Sequence, residues 1–335
     1  MSSLTTLRVV AALVAGGILA GCGGGVPQVG GPGITSAGAP AVREHRGESW
    51  MAKGLKNRDL LYVSNSDGVV NVYRYWQHTL VGVLTNFTQP VGECADAAGN
   101  VYITDYTAEK VDEYAHGGKK PIKVYDDSPY QPQACAVSAK TGDLAVANYG
   151  YYQAGNIAVY PHGSGSPTFY GGTRDDHFIS CAYDDRGDLF AVSNAGYSGI
   201  YYSQFYYLPK RGAQLVPMNL PGPSRSWEWR GVRAVAWDGE YWLVDVYGLY
   251  RFTINVKATY VDTITLQGDG DLGPVWIYRK NLKSTGSQVV GVENNYGQTD
   301  SVDFWSYPAG GSPIAQITKD LDGPSGLAVS MGTPQ

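Results

Sequence analysis

The feature that most narrows what this chain can fold into is a unit of about forty residues that recurs from Asp59 onward. Each unit opens on a short apolar strand and a Gly-containing turn, followed by a second strand that ends in Asn or Asp. A third strand ends near Tyr, and a Gly/Pro turn leads into a fourth. One copy reads Cys94-Ala-Asp-Ala-Ala-Gly-Asn, Val101-Tyr-Ile-Thr-Asp, Val111-Asp-Glu-Tyr and Pro121-Ile-Lys-Val-Tyr. The next reads Cys135-Ala-Val, Leu144-Ala-Val-Ala-Asn, Ile157-Ala-Val-Tyr and Pro167-Thr-Phe-Tyr. Further copies start at Cys181, Val235 and Val275. Cys94 to Cys135 spans 41 residues and Cys135 to Cys181 spans 46, a spacing that predicts four-stranded propeller blades. A lone blade cannot bury both its faces, so neighbours must stack around an axis.

The two ends predict how the ring closes. Pro324-Ser-Gly-Leu-Ala-Val-Ser matches the first strand Pro132-Gln-Ala-Cys-Ala-Val-Ser, while the first repeat, at Leu60-Leu-Tyr-Val-Ser-Asn, is a second strand without a first. The C-terminal strand is therefore expected to complete the N-terminal blade. The result is an all-β, six-bladed β-propeller with four antiparallel strands per blade and no long free edge. The 26 Tyr and 44 Gly suit strands joined by tight turns. A formal charge of −5, with no basic run longer than Lys119-Lys120, argues against a nucleic-acid partner.

Residues 1–21 read as a signal peptide: Arg8 precedes an apolar run, Val9 to Ala20, too short for a stop-transfer helix. Leu19-Ala-Gly-Cys22 resembles the lipobox of bacterial lipoproteins, which implies that Cys22 becomes the lipidated first residue of the mature chain. The membrane is then one partner, through the acyl chains. Gly23, in place of an Asp, points to the outer membrane or the cell surface. Residues 22–55, rich in Gly and Pro, are expected to form a flexible tether, and 56–335 the propeller.

Cys94, Cys135 and Cys181 stand in the slot filled elsewhere by Val235 and Leu327, which reads as a small buried apolar position. A disulfide is the alternative for an exported chain. It is disfavoured because equivalent strands of stacked sheets lie ~10 Å apart, beyond the ~7 Å Cα limit for bridging. His116 and His162 read as exposed turn residues. His177, after Asp175-Asp176, is a weak catalytic candidate: a general base oriented by Asp176.

The loops after the second strands carry Asn65, Asp105 with Tyr106, Asn148 with Tyr149, and Asn194 with Tyr197. Asp245 with Tyr247, and Asn295 with Tyr296, complete the set. Two readings stand side by side. The Asn and Asp are turn-formers bonded to their own backbone, or together with the Tyr they make a binding face for a glycan, peptide or protein. The acids Asp126, Asp127, Asp175, Asp176, Asp269, Asp271, Asp320 and Asp322 lie in inter-blade loops, where they are solvated or hold Ca²⁺. No other cofactor is expected.

Residues 59–330 resemble the NHL-repeat and gluconolactonase-like (SMP-30-like) group of six-bladed propellers. That group implies a divalent ion held by Glu, Asn and Asp at the mouths of the blades. The matching positions are Gly92, Gln133, Ile179, Arg233 and Ser325, of which only Gln133 has a coordinating group. The family activity is not carried over. The expectation is a non-catalytic binding module, and its rival is a hydrolase or lyase acting at the channel mouth.

Overall fold

Six separate sheets form the blades of a ring. The computed structural model describes residues 47–333 apart from 151–152, 172–175, 198–199, 247, 256, 269–270, 279–286 and 295–299. Blade 2 is typical, running outward from Pro90–Ala95 through Val101–Asp105 and Lys110–Tyr114 to Pro121–Asp126. Blades 3 to 6 start at the inner strands Pro132–Val137, His177–Tyr183, Ala234–Trp237 and Asp271–Tyr278. Blade 1 is closed as expected. Pro324–Ser330 pairs with Leu60–Asn65, Val63 lying opposite Leu327 and Leu60 opposite Ser330.

The second strands Leu60–Asn65, Val101–Asp105 and Leu144–Asn148 are buried at every residue. A blade packs against a neighbour on each face, so both faces of the strand must be apolar and no period of two survives in the sequence. The core is accordingly divided into inter-blade layers. Between blades 4 and 5, Phe190, Phe205, Trp242 and Phe252 are fully buried, and the Phe190 and Trp242 rings lie 5.2 Å apart.

Much of the tyrosine content serves these layers. A Tyr fills the gap with its ring and bonds its hydroxyl to the next blade. Tyr62 of blade 1 accepts from the Gly117 amide of blade 2 at 3.0 Å, and Tyr75 donates to Gln288 of blade 6 at 2.7 Å. Tyr307 of blade 6 donates to Asp238 of blade 5.

Three expectations are corrected. Trp50–Met51, inside the stretch read as tether, forms a short fifth strand on blade 1, with Trp50 opposite Val83 and Leu55 buried nearby. Two residues are too few to show a period, so the sequence hides this strand. His116 is also not a free turn residue. Its Nε2 donates to the Leu55 carbonyl at 3.1 Å and its Nδ1 lies 2.6 Å from Ser330 Oγ, so blade 2 holds the closing strand.

The third correction is the cysteines. Cys94 and Cys135 are disulfide-bonded, with Cα atoms 5.6 Å apart, and Cys181 is a buried free thiol. Two physical facts defeat the argument from sheet spacing. Blades radiate from an axis, so their innermost strands converge well below the spacing of stacked parallel sheets. The cysteines are also not equivalent: Cys135 lies opposite Val146, but Cys94 lies opposite Tyr102, one step beyond the matching Ile103. One step reverses the side chain. Cys94 therefore faces forward to blade 3 while Cys135 faces back to blade 2, and the two meet.

Candidate functional site

The second strands end, and the inner strands begin, on one face of the ring, here termed upper. Asp105, for example, lies opposite Pro90. The Asn and Asp residues at these ends turn inward. Asp105 accepts from the backbone amides of Thr88 at 2.9 Å and Gln89 at 2.8 Å. Asn65 accepts from the Asp322 amide at 3.0 Å, and Asn148 donates to Asn156 Oδ1 at 3.0 Å. Asn194 donates to the Val232 carbonyl at 3.2 Å and accepts from Ser203 Oγ at 2.7 Å. Asn65, Asp105, Asn148 and Asp245 are all buried, and the first three latch loops and do not offer themselves to a partner. Asp245 stands apart, because its carboxylate has no hydrogen-bond partner among the described residues. Burial pushes it up to about 8, against the pull of Arg233.

The residues next to the latches face the other way, as alternation along extended chain requires. Tyr106, Tyr149 and His177, from blades 2, 3 and 4, form a half-buried row. The Tyr106 and Tyr149 rings are 6.2 Å apart at 61°, and Tyr149 stacks on His177 at 4.4 Å and 15°. His177 Nδ1 donates to the Tyr149 carbonyl at 2.7 Å, which leaves the lone pair on Nε2. Polar side chains flank the row: Gln153 donates to the Pro129 carbonyl at 2.9 Å, and Thr107 to Gln89 at 2.6 Å. The side chain of Tyr197 and the whole of Tyr247, Asn295, Tyr296 and Cys22 lie outside the described residues.

Asp176 does not orient His177. Its carboxylate is buried and accepts from Ser193 Oγ at 2.6 Å and the Tyr206 hydroxyl at 2.7 Å. Adjacent residues at the start of a strand point to opposite sides, so this pair cannot act as a dyad.

A cavity of 540 Å³ follows the axis, lined by all six inner strands. The five positions compared with the lactonase metal site, Gly92, Gln133, Ile179, Arg233 and Ser325, do line it. Among the described residues, no group of three or more His, Cys, Asp or Glu could hold a metal ion. The acids of the inter-blade loops are dispersed. Asp127 is buried against the Tyr160 hydroxyl at 2.8 Å, and burial pushes it up to about 7.

Glu93 is a residue that the repeat pattern does not reveal. It holds the register taken in four other blades by Leu327, Cys135, Cys181 and Val235. One carboxylate oxygen accepts from Ser64 Oγ, and the other has no partner among the described residues. Room comes from Gly326, where a Cβ would collide with both Glu93 Oε2 and the Val91 carbonyl. Burial pushes Glu93 up to about 8. Aligning the repeats on their cysteines conceals it, because that alignment places Cys94 in the slot that Glu93 fills.

No known protein family matches the chain, and no curated protein does. Solved structures do. The chain is similar to one in a crystal structure of a nidogen/laminin complex, at 11% identity and a TM-score of 0.59 over 82% of this chain and 100% of that one. It is equally similar to a protein of unknown function from Bacteroides caccae, at 12% identity and a TM-score of 0.58 over 82% of this chain and 99% of that one. At such identities the likeness speaks to fold alone, and that fold is the six-bladed β-propeller.

Proposed function

We propose that this chain is an exported, lipid-anchored envelope protein of the NHL-like kind whose propeller binds a glycan, peptide or protein on its upper face. The observation that carries the reading is the row Tyr106–Tyr149–His177. In the same loops where Asp105 and Asn148 are consumed by latches, the neighbouring rings are left half-exposed and aligned across three blades. Flat apolar rings with polar tips and amide neighbours suit recognition more than turn formation. The Cys94–Cys135 disulfide supports export, because such bonds persist in oxidising compartments. The lipobox-like Leu19-Ala-Gly-Cys22 supports the anchor.

The rival reading, a hydrolase or lyase built on Asp176 and His177, loses its orienting acid to Ser193 and Tyr206. The test is capture from the native envelope by the anchored protein, comparing wild type with Tyr106→Ala/Tyr149→Ala. Loss of the co-purifying material with thermal stability retained supports the binding face. Unchanged capture removes it.

A further inference from the structure

On the lower face, opposite the aromatic row, a crevice of 440 Å³ opens between blades 3 and 4. Its walls are turns: Lys140 and His162 belong to blade 3, Lys210 and Arg211 to blade 4. Its floor is Gly187, where a Cβ would lie 3.5 Å from Lys140 Cβ and 3.4 Å from Lys210 Cδ, so the two lysine stems flank it. Gly187 has φ of 90°, a conformation that favours glycine and keeps the floor bare.

None of Lys140, Lys210 and Arg211 is in an ion pair among the described residues. The carboxylates at hand are already engaged. Asp143, on the wall, accepts from the His162 amide at 2.8 Å, and Asp188 from the Lys210 amide at 2.7 Å and the Tyr207 hydroxyl at 2.7 Å. His162 Nδ1 donates to the Thr141 carbonyl at 2.6 Å, which holds the imidazole in the wall.

Gathering like charges without a counter-ion raises the free energy of the empty crevice, and an anion relieves it. Basic charge is not a general property of this face. The neighbouring crevice of 350 Å³ between blades 4 and 5 has the opposite sign, with Asp184, Asp185 and Glu240 against Arg186. Three cations against the Asp143 and Asp188 carboxylates keep the crevice net positive, and a phosphate monoester brings about −1.5 to −2 of charge with three acceptor oxygens for donors on both walls. The volume suits a group the size of a phosphorylated monosaccharide.

We propose that the crevice between blades 3 and 4 binds a small phosphomonoester, held from adjacent blades by Lys140, Lys210 and Arg211. This site is separate from the aromatic row, and either proposal can fail without the other.

The experiment is calorimetric titration of the full-length protein at physiological ionic strength. The probes are glucose 6-phosphate, glucose, inorganic phosphate and phosphatidylglycerol vesicles. Saturable binding of glucose 6-phosphate, competed by inorganic phosphate and absent for glucose, supports the proposal. So does a loss of about tenfold or more in Lys140→Gln/Lys210→Gln, with unfolding temperature unchanged and with Lys257→Gln as an unaffected charge control. The proposal is overturned by equal binding of glucose, by no binding of the phosphate, by an equal loss in Lys257→Gln, or by binding to vesicles alone.

Discussion

The two faces of this ring use their polar side chains in opposite ways. On the upper face, Asp105, Asn65 and Asn148 are buried and committed to loop latches, and uncharged rings are what reach solvent. On the lower face, between blades 3 and 4, Lys140, Lys210 and Arg211 stand in exposed turns. The difference follows from topology. On the upper face the loop leading from one blade into the next must be tied down where an inner strand begins, and the Asn or Asp at the neighbouring second-strand end does so, as Asp105 holds Thr88 and Gln89. The lower turns are hairpins within a blade, shaped by strand pairing and by their own carboxylates such as Asp96 and Asp184, which leaves residues such as Lys140 and Lys210 out of any latch between blades. Polar regularity in a repeat protein therefore marks scaffolding, and irregular charge is the better guide to function.

The largest expected effect lies at the axis, which both faces share. Cys135→Ala opens a disulfide that closes a 41-residue span and should cost about 2–4 kcal/mol in chemical unfolding. Retained stability would mean that the ring does not depend on this bond. Next is Asp105→Ala, which takes the charged acceptor from the backbone amides of Thr88 and Gln89 and should cost about 2–3 kcal/mol. Lys140→Ala on the lower face should stay within about 0.5 kcal/mol. Equal losses would erase the contrast between latch and free charge.

Stability should also fall with rising pH. Glu93 and Asp245 are raised to about 8 and Asp127 to about 7, so the folded state favours their neutral forms. Their contribution is complete below the ordinary carboxylate range and is lost as pH climbs through about 7 to 8. Each tenfold gain in proton affinity on folding corresponds to about 1.4 kcal/mol. Thermal scans from pH 5 to 8 should show the decline, and Glu93→Gln with Asp245→Asn should flatten it. A flat wild-type profile would refute the assignment. Tyr149→Ala should cost only about 1 kcal/mol or less of stability, although capture of an envelope partner should be lost.

Both the latches and the rings are visible in the sequence as an Asn or Asp followed by Tyr, but not their division of labour. Whether Asp105 or Tyr106 faces solvent depends on which way the strand end turns. His177 beside Asp176 looks like a dyad in one dimension, and extended backbone separates the two side chains. Glu93 is hidden for a related reason. The inner strands of blades 1, 2 and 3 share a one-residue irregularity, so counting from Pro324, Pro90 and Pro132 sets Glu93 level with Leu327 and Cys135, whereas matching the cysteines hides it.

The spacing of the repeats, and the matching strands at Leu60 and Leu327, were enough to specify four strands per blade, six blades and closure by the C-terminal strand. Such properties are carried by short-range pattern, which the chain states directly. The bond between Cys94 and Cys135, the burial of Glu93 against Gly326 and the meeting of Lys140 with Lys210 over Gly187 were settled by the assembled ring. Each depends on side-chain direction and on how closely neighbouring blades approach, and a one-residue change of register reverses the first without leaving a mark on composition or period.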